Sequence, residues 1–416
     1  MKNKILKIEY KNLNELQAYD KNSRIHSAKQ LKKIAKSLEH FGFINPILIN
    51  SKNVIVAGHG RYEAAKMLNL SKVPTILIDD LSEEDFKAYV IADNKLAEDA
   101  SWDFEILKDE FKDLFTANYD FDLSSTGFDI PEIDFILEDK KIKNKIDVPP
   151  NDFDVEKLVK FGDLWQLGNH YMLCGDSRDE DSYKCLLGDN MADMIFTDPP
   201  YNVRINGHVI KDKNKHKEFV MASGEMSKKD FMQFLVYTLG RAAKYSREGS
   251  IHFVCMDWRH IYEIMRVGNK IYSEFKNLCV WNKGKGGMGS LYRSQHELIF
   301  VFKKGDKQHV NNIELGKHGR YRTNIWDYAV ASNELHPTCK PVDLVMDAIR
   351  DCSNMNNIIL DPFAGSGSTL LAAERTKRKA YVIEYEPHYC DVIIHRYKKL
   401  TNNKISLIKR KGQNNG

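Results

Sequence analysis

The chain has 416 residues, 42% of them hydrophobic and 29% charged, with 62 Lys and Arg against 58 Asp and Glu. That balance excludes a disordered chain and a small disulfide scaffold, and leaves room for two or three packed domains. No apolar run reaches the ~20 residues of a membrane helix, and Met1-Lys2-Asn3-Lys4 leads into no signal-peptide core. The net charge of +4 is compatible with nucleic-acid binding without requiring it, so local clustering must carry that case. Seven cysteines, an odd number, all lie from Cys174 onward and form no C-x-x-C pair. The histidines show no H-E-x-x-H spacing. Reduced thiols, a cytoplasmic location and no structural metal are the expectations.

Residues 1–136 read as a compact α/β domain. "AKQLKKIAKSLEHF" at 28–41 puts Leu31, Ile34, Leu38 and Phe41 on one helical face, with Ser27 as N-cap and Gly42 as stop. "INPILIN" and "NVIVAGHGR" read as strands flanking a turn, and "GHGRYEAAKMLNL" turns into a helix. "VPTILID" is a further strand, and "SEEDFKAYVIADNKLAE" is a helix opened by Ser82 with acids in its first turn. The stretches "NSRIH" at 22–26, "GFINPILI" at 42–49 and "VIVAGHGRYEAAKMLNLSKVPTILI" at 54–78 resemble the ParB-type nuclease-like domain, a fold shared with sulfiredoxins. The resemblance implies a nucleotide phosphate at the glycine turn, where Gly58, His59, Gly60 and Arg61 stand. Two departures count against the family chemistry. The sulfiredoxin cysteine is absent, and His59-Gly60-Arg61 replaces the usual Glu-Arg-Arg. Phosphate or DNA-backbone binding and simple bracing of the turn both remain open.

Residues 103–136 are acidic and amphipathic, and read as a helix or two appended to the first domain with a solvated face. Residues 137–161, charged and carrying a proline pair, read as a linker. The second domain spans 162–416. "DLWQLGNHYMLCGD" alternates like a hairpin and ends at Gly175-Asp176. Then follow the strand "MIFT", the helix "KKDFMQFLVYTLGRAAKYS", the strands "GSIHFVCM", "NLCVWNK" and "HELIFVFKKG", and the helix "KPVDLVMDAIRDCS". "NIILDPFAGSGSTLLAAERTKRKAYVIEYEP" reads as strand, glycine loop, helix and strand, and "SLIKR" as an edge strand. This alternation predicts an α/β fold with a parallel sheet.

Two stretches carry chemistry. Asp198-Pro199-Pro200-Tyr201 follows the apolar run Met194-Ile195-Phe196. Its prolines forbid helix and further pairing, so a carboxylate and a ring sit on a stiff turn at a strand's carboxyl end. Asp198 and the Pro199 carbonyl can accept hydrogen bonds from an amino group while Tyr201 stacks on its ring. The second stretch is Asp361-Pro362-Phe363-Ala364-Gly365-Ser366-Gly367-Ser368-Thr369. It has no P-loop lysine, and Leu370 stands where a dinucleotide fingerprint needs a third glycine. A nucleoside without pyrophosphate fits better, with Glu384 at the next strand's end as ribose clamp.

"DPFAGSGST" together with "DPPY" resembles the amino-methyltransferases that use S-adenosylmethionine to methylate DNA. D-P-P-Y precedes the glycine loop by more than a hundred residues, as in their circularly permuted β group. His336-Pro337-Thr338-Cys339-Lys340-Pro341 resembles the group's H-P-T-x-K-P element, and "VWNK" and "YRSQHELIFVFKKG" resemble its later strands. The fold implied is a circularly permuted Rossmann-like methyltransferase sheet behind a small α/β ParB-like domain. The resemblance implies that Phe363, Gly365 and Gly367 contact S-adenosylmethionine, with Asp361 near its methionine end and Glu384, or Glu386 in its place, on the ribose. Asp176 would meet the adenine amine of the cofactor. Lys340 and Pro341 would border the methionine moiety, with a plain helix-start lysine as the other reading.

Asp198, Pro199, Pro200 and Tyr201 would then form the catalytic turn, taking the exocyclic amine of a flipped base from double-stranded DNA. In this family D-P-P-Y goes with adenine N6 more often than with cytosine N4. Cytosine N4 methylation is one alternative, and a DNA-binding partition-like protein with an inactive methylase is another. Arg204, Lys211, Lys213, Lys215 and Lys217 cluster just after the turn, and read either as phosphate contacts or as a solvated loop. The partners expected are DNA and no membrane, with a homodimer allowed and no obligatory protein partner evident.

Overall fold

The structure is a computed structural model that describes residues 6–96, 99–117, 121–137, 155–202, 225–284, 286, 291–313, 315, 322–329 and 339–410. It divides into two compact units, Met1–Glu138 and Asp139–Gly416. Among the described residues, no helix is long and apolar enough to cross a membrane.

The first unit runs β1 (Ile8–Asn12), α1 (Ala28–Phe41), β2 (Ile47–Ile49), β3 (Ile55–Ala57), α2 (His59–Met67), β4 (Lys72–Leu77), α3 (Glu83–Leu96), α4 (Phe104–Ala117) and α5 (Ile130–Leu137). Its sheet has the order β1-β4-β2-β3, with β2 parallel to β4 and both β1–β4 and β2–β3 antiparallel. Leu13, Leu16, Ile47, Ile49, Ile55, Tyr62, Ala65 and Val73 make its core. α1 starts at Ser27, whose Oγ accepts from the Gln30 N–H at 3.1 Å, and stops at Gly42, which has φ 78°. On its predicted apolar face, Phe41, the last residue of the helix, is exposed. β1 carries no readable signal, since its alternation is weak and its partner β4 lies some sixty residues away.

The segment 103–136 does more than present a solvated face. Phe111, Phe115, Leu123 and Ile133 are buried. Its acids meet the lysines of α1: Asp129 lies 2.8 Å from Lys29 and 3.1 Å from Lys33, and Asp122 lies 2.7 Å from Lys36.

The second unit runs β5 (Leu164–Leu167), β6 (His170–Cys174), α6 (Glu180–Leu187), β7 (Ala192–Thr197), α7 (Lys228–Lys244), β8 (Ser246–Met256), α8 (Ile261–Ile271), β9 (Glu274–Asn282), β10 (His296–Lys303), β11 (Ile325–Asp327), α9 (Val342–Cys352), β12 (Ile358–Asp361), α10 (Ser368–Arg375), β13 (Lys379–Glu384), α11 (Pro387–Leu400) and β14 (Ile405–Lys409). They build one sheet of order β11-β9-β10-β8-β7-β12-β13-β6-β5-β14. The five central strands, β8 to β6, are mutually parallel. The flanks are not: β10 is antiparallel to β8 and β9, and β5 to β6 and β14. The sheet is therefore mixed where alternation alone argues for a parallel one. The β5–β6 connection, Gly168-Asn169, is a tight hairpin that reverses the chain as a crossover cannot, and β9 and β10 are likewise antiparallel neighbours.

The central strands are apolar on both faces, as a covered parallel sheet requires. Met194, Phe196, Ile359 and Val382 face one core with α9, α10 and α11, while Ile195, Leu360 and Ile383 face Tyr183 and Leu186 of α6. Packing of this unit already includes Val159, which is buried. The Leu158 and Val159 N–H groups donate to Asp391 Oδ1 at 2.9 and 3.0 Å.

Candidate active site

The strands β7, β12, β13 and β6 are neighbours and run the same way, so their carboxyl ends lie side by side at steps of about 4.8 Å. Asp198 follows β7, Asp361 ends β12, Glu384 ends β13, and Asp176 lies two residues past β6. Residues scattered over 208 positions of sequence, from 176 to 384, thereby share one edge.

The glycine loop folds as its residues dictate. Gly365 and Gly367 have φ 51° and 89°, the left-handed region that glycine enters without a Cβ penalty. A Cβ on Gly367 would lie 2.8 Å from Ile393 Cγ1, so α11 packs directly on that backbone. A Cβ on Gly365 would meet nothing within 4 Å, so this glycine fronts open space. Asp361 braces the loop. Its Oδ1 accepts from Thr197 Oγ1 and the Phe363 N–H, both at 3.0 Å, and its Oδ2 from Thr369 Oγ1 at 2.6 Å. Burial pushes its carboxyl up to about 6 against those three bonds. Glu384 accepts from the Gly365 N–H at 2.8 Å and the Glu386 N–H at 3.0 Å, and burial pushes it up to about 7. The ring of Phe363 lies 5.8 Å from that of Phe234. Asp176 is held by Arg178 through the backbone N–H at 2.8 Å and Nη2 at 2.7 Å. Burial opposes its charge, but the guanidinium keeps its carboxyl below the usual range.

Asp198 sits in a polar cluster. Tyr201 Oη donates to Asp198 Oδ1 at 2.5 Å, and Lys340 Nζ donates to Asp198 Oδ2 at 2.5 Å. Lys340 also reaches Glu297 Oε2 at 2.9 Å and Tyr201 Oη at 3.2 Å, and Glu297 Oε1 pairs with Lys283. Burial raises Asp198 above the usual carboxylate range, helped by the neighbouring Glu297 and opposed by Lys340. For Glu297 burial works the same way, but Lys340 and Lys283 together bring it down to about 2. Burial would lower Lys340, yet the two carboxylates hold it above its ordinary value and protonated. Asn202, at φ 53°, ties the turn to the start of α7 by exchanging hydrogen bonds with Met226 at 2.9 and 3.1 Å.

Lys340, expected beside the methionine moiety, points its ammonium at Asp198 and Glu297. Its backbone is what meets the glycine loop. Ser368 Oγ donates to the Lys340 carbonyl at 2.7 Å, Cys339 Sγ lies 3.0 Å from Ser366 Oγ, and Pro341 caps α9. The Cys339-Lys340-Pro341 segment thus bridges the two motifs. Sequence reasoning missed Glu297 and Lys283 as individual residues. The available signal was a carboxylate opening the strand "LIFVF", where a charge must find a partner. Arg204, Lys211, Lys213, Lys215 and Lys217 lie outside the described residues, as do His336, Pro337 and Thr338.

In the first unit, Gly58 at φ 102° caps α2. Arg61 Nη2 donates to the Pro46 carbonyl at 3.3 Å, and His59 Nε2 accepts from the Tyr19 N–H at 3.3 Å. Arg61 Nε is buried with no hydrogen-bond partner among the described residues. Gly60 packs closely enough that a Cβ would lie 2.9 Å from Ile34 Cδ1.

Known proteins match both units. Residues 192–395 match the DNA methylase family, residues 1–94 the ParB N-terminal domain, and residues 105–161 the ParB-methyltransferase HTH domain. The ParB-like nuclease domain-containing protein YnaK of Escherichia coli is 46% identical over 79 residues, 19% of this chain and 91% of that protein. The DNA adenine methyltransferase YhdJ of Escherichia coli is 26% identical over 49% of this chain and 76% of its own length. Among solved structures, the M1.HpyAVI–SAM complex is 22% identical, with a TM-score of 0.42, over 54% of this chain and 97% of that one. With its D-P-P-Y turn and glycine loop on one sheet edge and a ParB-type unit ahead of them, the chain carries a DNA methylase-family domain at residues 192–395 and a ParB N-terminal domain at residues 1–94.

Proposed function

We propose that the chain transfers a methyl group from S-adenosylmethionine to the N6 amine of adenine in double-stranded DNA. The observation that carries this reading is the placement of Asp198, the Gly365–Gly367 loop and Glu384 on adjacent parallel strand ends. The loop fits a nucleoside: Gly365 fronts open space, and Glu384 beside it keeps free lone pairs for ribose hydroxyls. When bound, S-adenosylmethionine supplies an electrophilic sulfonium methyl.

The chain's part is positioning. The target amine is paired inside a duplex, so the base must be extruded, and its lone pair is delocalised into the ring. Asp198 and the Pro199 carbonyl accept the amine's hydrogens and draw the nitrogen toward tetrahedral geometry. Tyr201, fixed at its hydroxyl by Asp198, offers a ring for stacking. Asp361 braces the loop from beneath and Pro341 starts α9 alongside it.

Adenine is favoured over cytosine by Asp198 at the first position of the motif and by the likeness to an adenine methyltransferase. Arg204 and the lysines from 211 to 217 are assigned to DNA phosphates. The Gly58–Arg61 turn is assigned to a nucleotide or backbone phosphate, supported by the unpartnered Arg61 Nε. A cytoplasmic, nucleoid-bound protein is part of the same reading. A homodimer is too, supported by the exposed Trp258 just before α8 and Ile261 and Tyr262 in its first turn.

The test is to incubate the full chain with methyl-labelled S-adenosylmethionine and unmethylated duplex DNA, then digest and identify the labelled nucleoside. N6-methyladenine is expected. N4-methylcytosine would move the reading to the other amine, and absence of label would remove it. Full-chain binding to duplex DNA at rising salt, with Arg61→Ala beside the wild type, tests the first unit; equal affinities would leave Arg61 a bracing role.

A further inference from the structure

Lys340 has three N–H donors and meets three acceptors, Asp198 Oδ2, Glu297 Oε2 and Tyr201 Oη, at 2.5, 2.9 and 3.2 Å. Glu297 meets Lys283 through its other oxygen. Two carboxylates and two ammonium groups thus form a neutral chain in the order Asp198, Lys340, Glu297, Lys283. The inner members are the more enclosed: the side chains of Lys340 and Glu297 are 5% and 13% exposed, against 24% for Asp198 and 25% for Lys283. Removing one partner from such an enclosed chain leaves the next charge uncompensated, so each link sets the strength of its neighbour.

We propose that Glu297 is a positioning residue for methyl transfer. It competes with Asp198 for the Lys340 ammonium, and so sets how strongly Asp198 accepts a hydrogen bond from the target amine. The proposal rests on the methylase reading above. During transfer the amine lone pair forms the new N–C bond, and the C–S bond breaks with its electron pair staying on sulfur. The nitrogen becomes cationic and must give up one proton. Ionised Asp198 is the adjacent acceptor, and the proton passes from it to solvent. Without Glu297, Asp198 would be the one carboxylate left on Lys340 among these groups, and a carboxylate fully neutralised by an ammonium is a weaker acceptor for the amine.

The groups facing Asp198 are Lys340 from the segment before α9, Tyr201 from its own turn, Glu297 from β10, Cys255 from β8 and Asp361 from β12. Glu297 raises the Asp198 carboxyl and Lys340 lowers it. Burial pushes the Cys255 thiol far up, so it stays neutral. Asp361 is bonded to Thr197, Phe363 and Thr369, so substitutions at Glu297 or Lys283 leave its bonds in place.

The experiment is single-turnover methyl transfer against pH, with the full chain, saturating S-adenosylmethionine and mixed-sequence unmethylated duplex DNA. Wild type, Glu297→Gln and Lys283→Gln are compared. In Glu297→Gln the transfer rate falls about tenfold, and the acidic limb of the pH profile moves to lower pH. In Lys283→Gln, Glu297 turns wholly to Lys340 and loosens it from Asp198, so the acidic limb moves to higher pH. Affinity for S-adenosylmethionine stays at the wild-type value in both. A role confined to holding the fold together would not move the two limbs in opposite directions. Limbs that coincide with the wild type, or that move the same way, overturn the proposal. If Glu297→Gln does not fold, Lys283→Gln decides alone, and absence of an upward move overturns it. A wild-type chain that labels no DNA base overturns the methylase reading and this proposal together, whereas an active wild type with unmoved limbs overturns this proposal only.

Discussion

The chain makes the same local turn twice. In the first unit β3 runs into Gly58, at φ 102°, which caps α2. In the second β12 runs through Gly365 into Gly367, at φ 89°, which caps α10. Both turns point helix N–H groups at what lies above them. Their surroundings separate them. Around Gly58 the side chains fold back, Arg61 onto the Pro46 carbonyl and His59 onto the Tyr19 N–H. Around Gly365 there is open space, and carboxylates arrive from the neighbouring strands, Glu384 from β13 and Asp198 from β7. A glycine turn supplies anion-friendly backbone, but the adjacent strand ends decide whether the turn becomes a nucleoside site.

The largest expected effect lies beside the second turn. Asp198→Ala lowers methyl transfer by about a thousandfold, the scale of losing a preorganised polar group at the reacting centre. Calorimetric titration should find S-adenosylmethionine binding preserved, since the side chain removed is on β7's turn and not on the loop. Next comes the loop itself. Gly367→Val puts a branched Cβ at 2.8 Å from Ile393 Cγ1 at a φ of 89°, so the loop must move and cofactor affinity is lost in the same titration. The first turn should be gentler on activity. Gly58→Ala costs about 1–2 kcal/mol of stability for a left-handed non-glycine residue, read as a lower denaturation midpoint, while methyl transfer by the folded protein persists. Loss of transfer there would break the contrast between the two turns.

The smallest effect is in pH. Glu384 is pushed up from the usual 4.5 to about 7 by burial, so the folded apo chain holds a proton that the unfolded chain has released. The stability this group contributes is fully present below about 4.5 and is lost as pH rises through about 7. Thermal melts of the apo protein should therefore fall across that window, and Glu384→Gln should flatten the slope. Asp361, pushed up to about 6, adds a parallel decline that Thr369→Val would alter, because Thr369 donates to its Oδ2.

Much of this site is legible in the chain because its parts are local. Apolar runs ending in Pro-Pro or in glycines mark strand ends, and strand ends mark the ligand edge. The elements with strong period, such as α7 and the strands "IHFVCM" and "LIFVF", are equally plain. What stays hidden is pairing across distance. Nothing near Lys340 says that its ammonium meets Asp198, 142 positions away, or that Glu297 takes another of its hydrogens. The Asp391 carboxylate that captures the Leu158 and Val159 N–H groups spans more than two hundred residues, so the start of the second unit cannot be placed from composition. β1 escapes notice for the same reason, as its ladder with β4 is long-range and its residues are mostly exposed. The acidic segment 103–136 looks solvated until α1 supplies Lys29, Lys33 and Lys36 as partners.

The most direct measurement is a crystal structure of the full chain with S-adenosylhomocysteine and a DNA duplex. The nucleoside is expected over Gly365, with its ribose hydroxyls on Glu384, and an extruded adenine with its amine against Asp198 and the Pro199 carbonyl. Nucleoside density at the Gly58–Arg61 turn instead, or a base that stays stacked while Asp198 faces only Lys340, would contradict it.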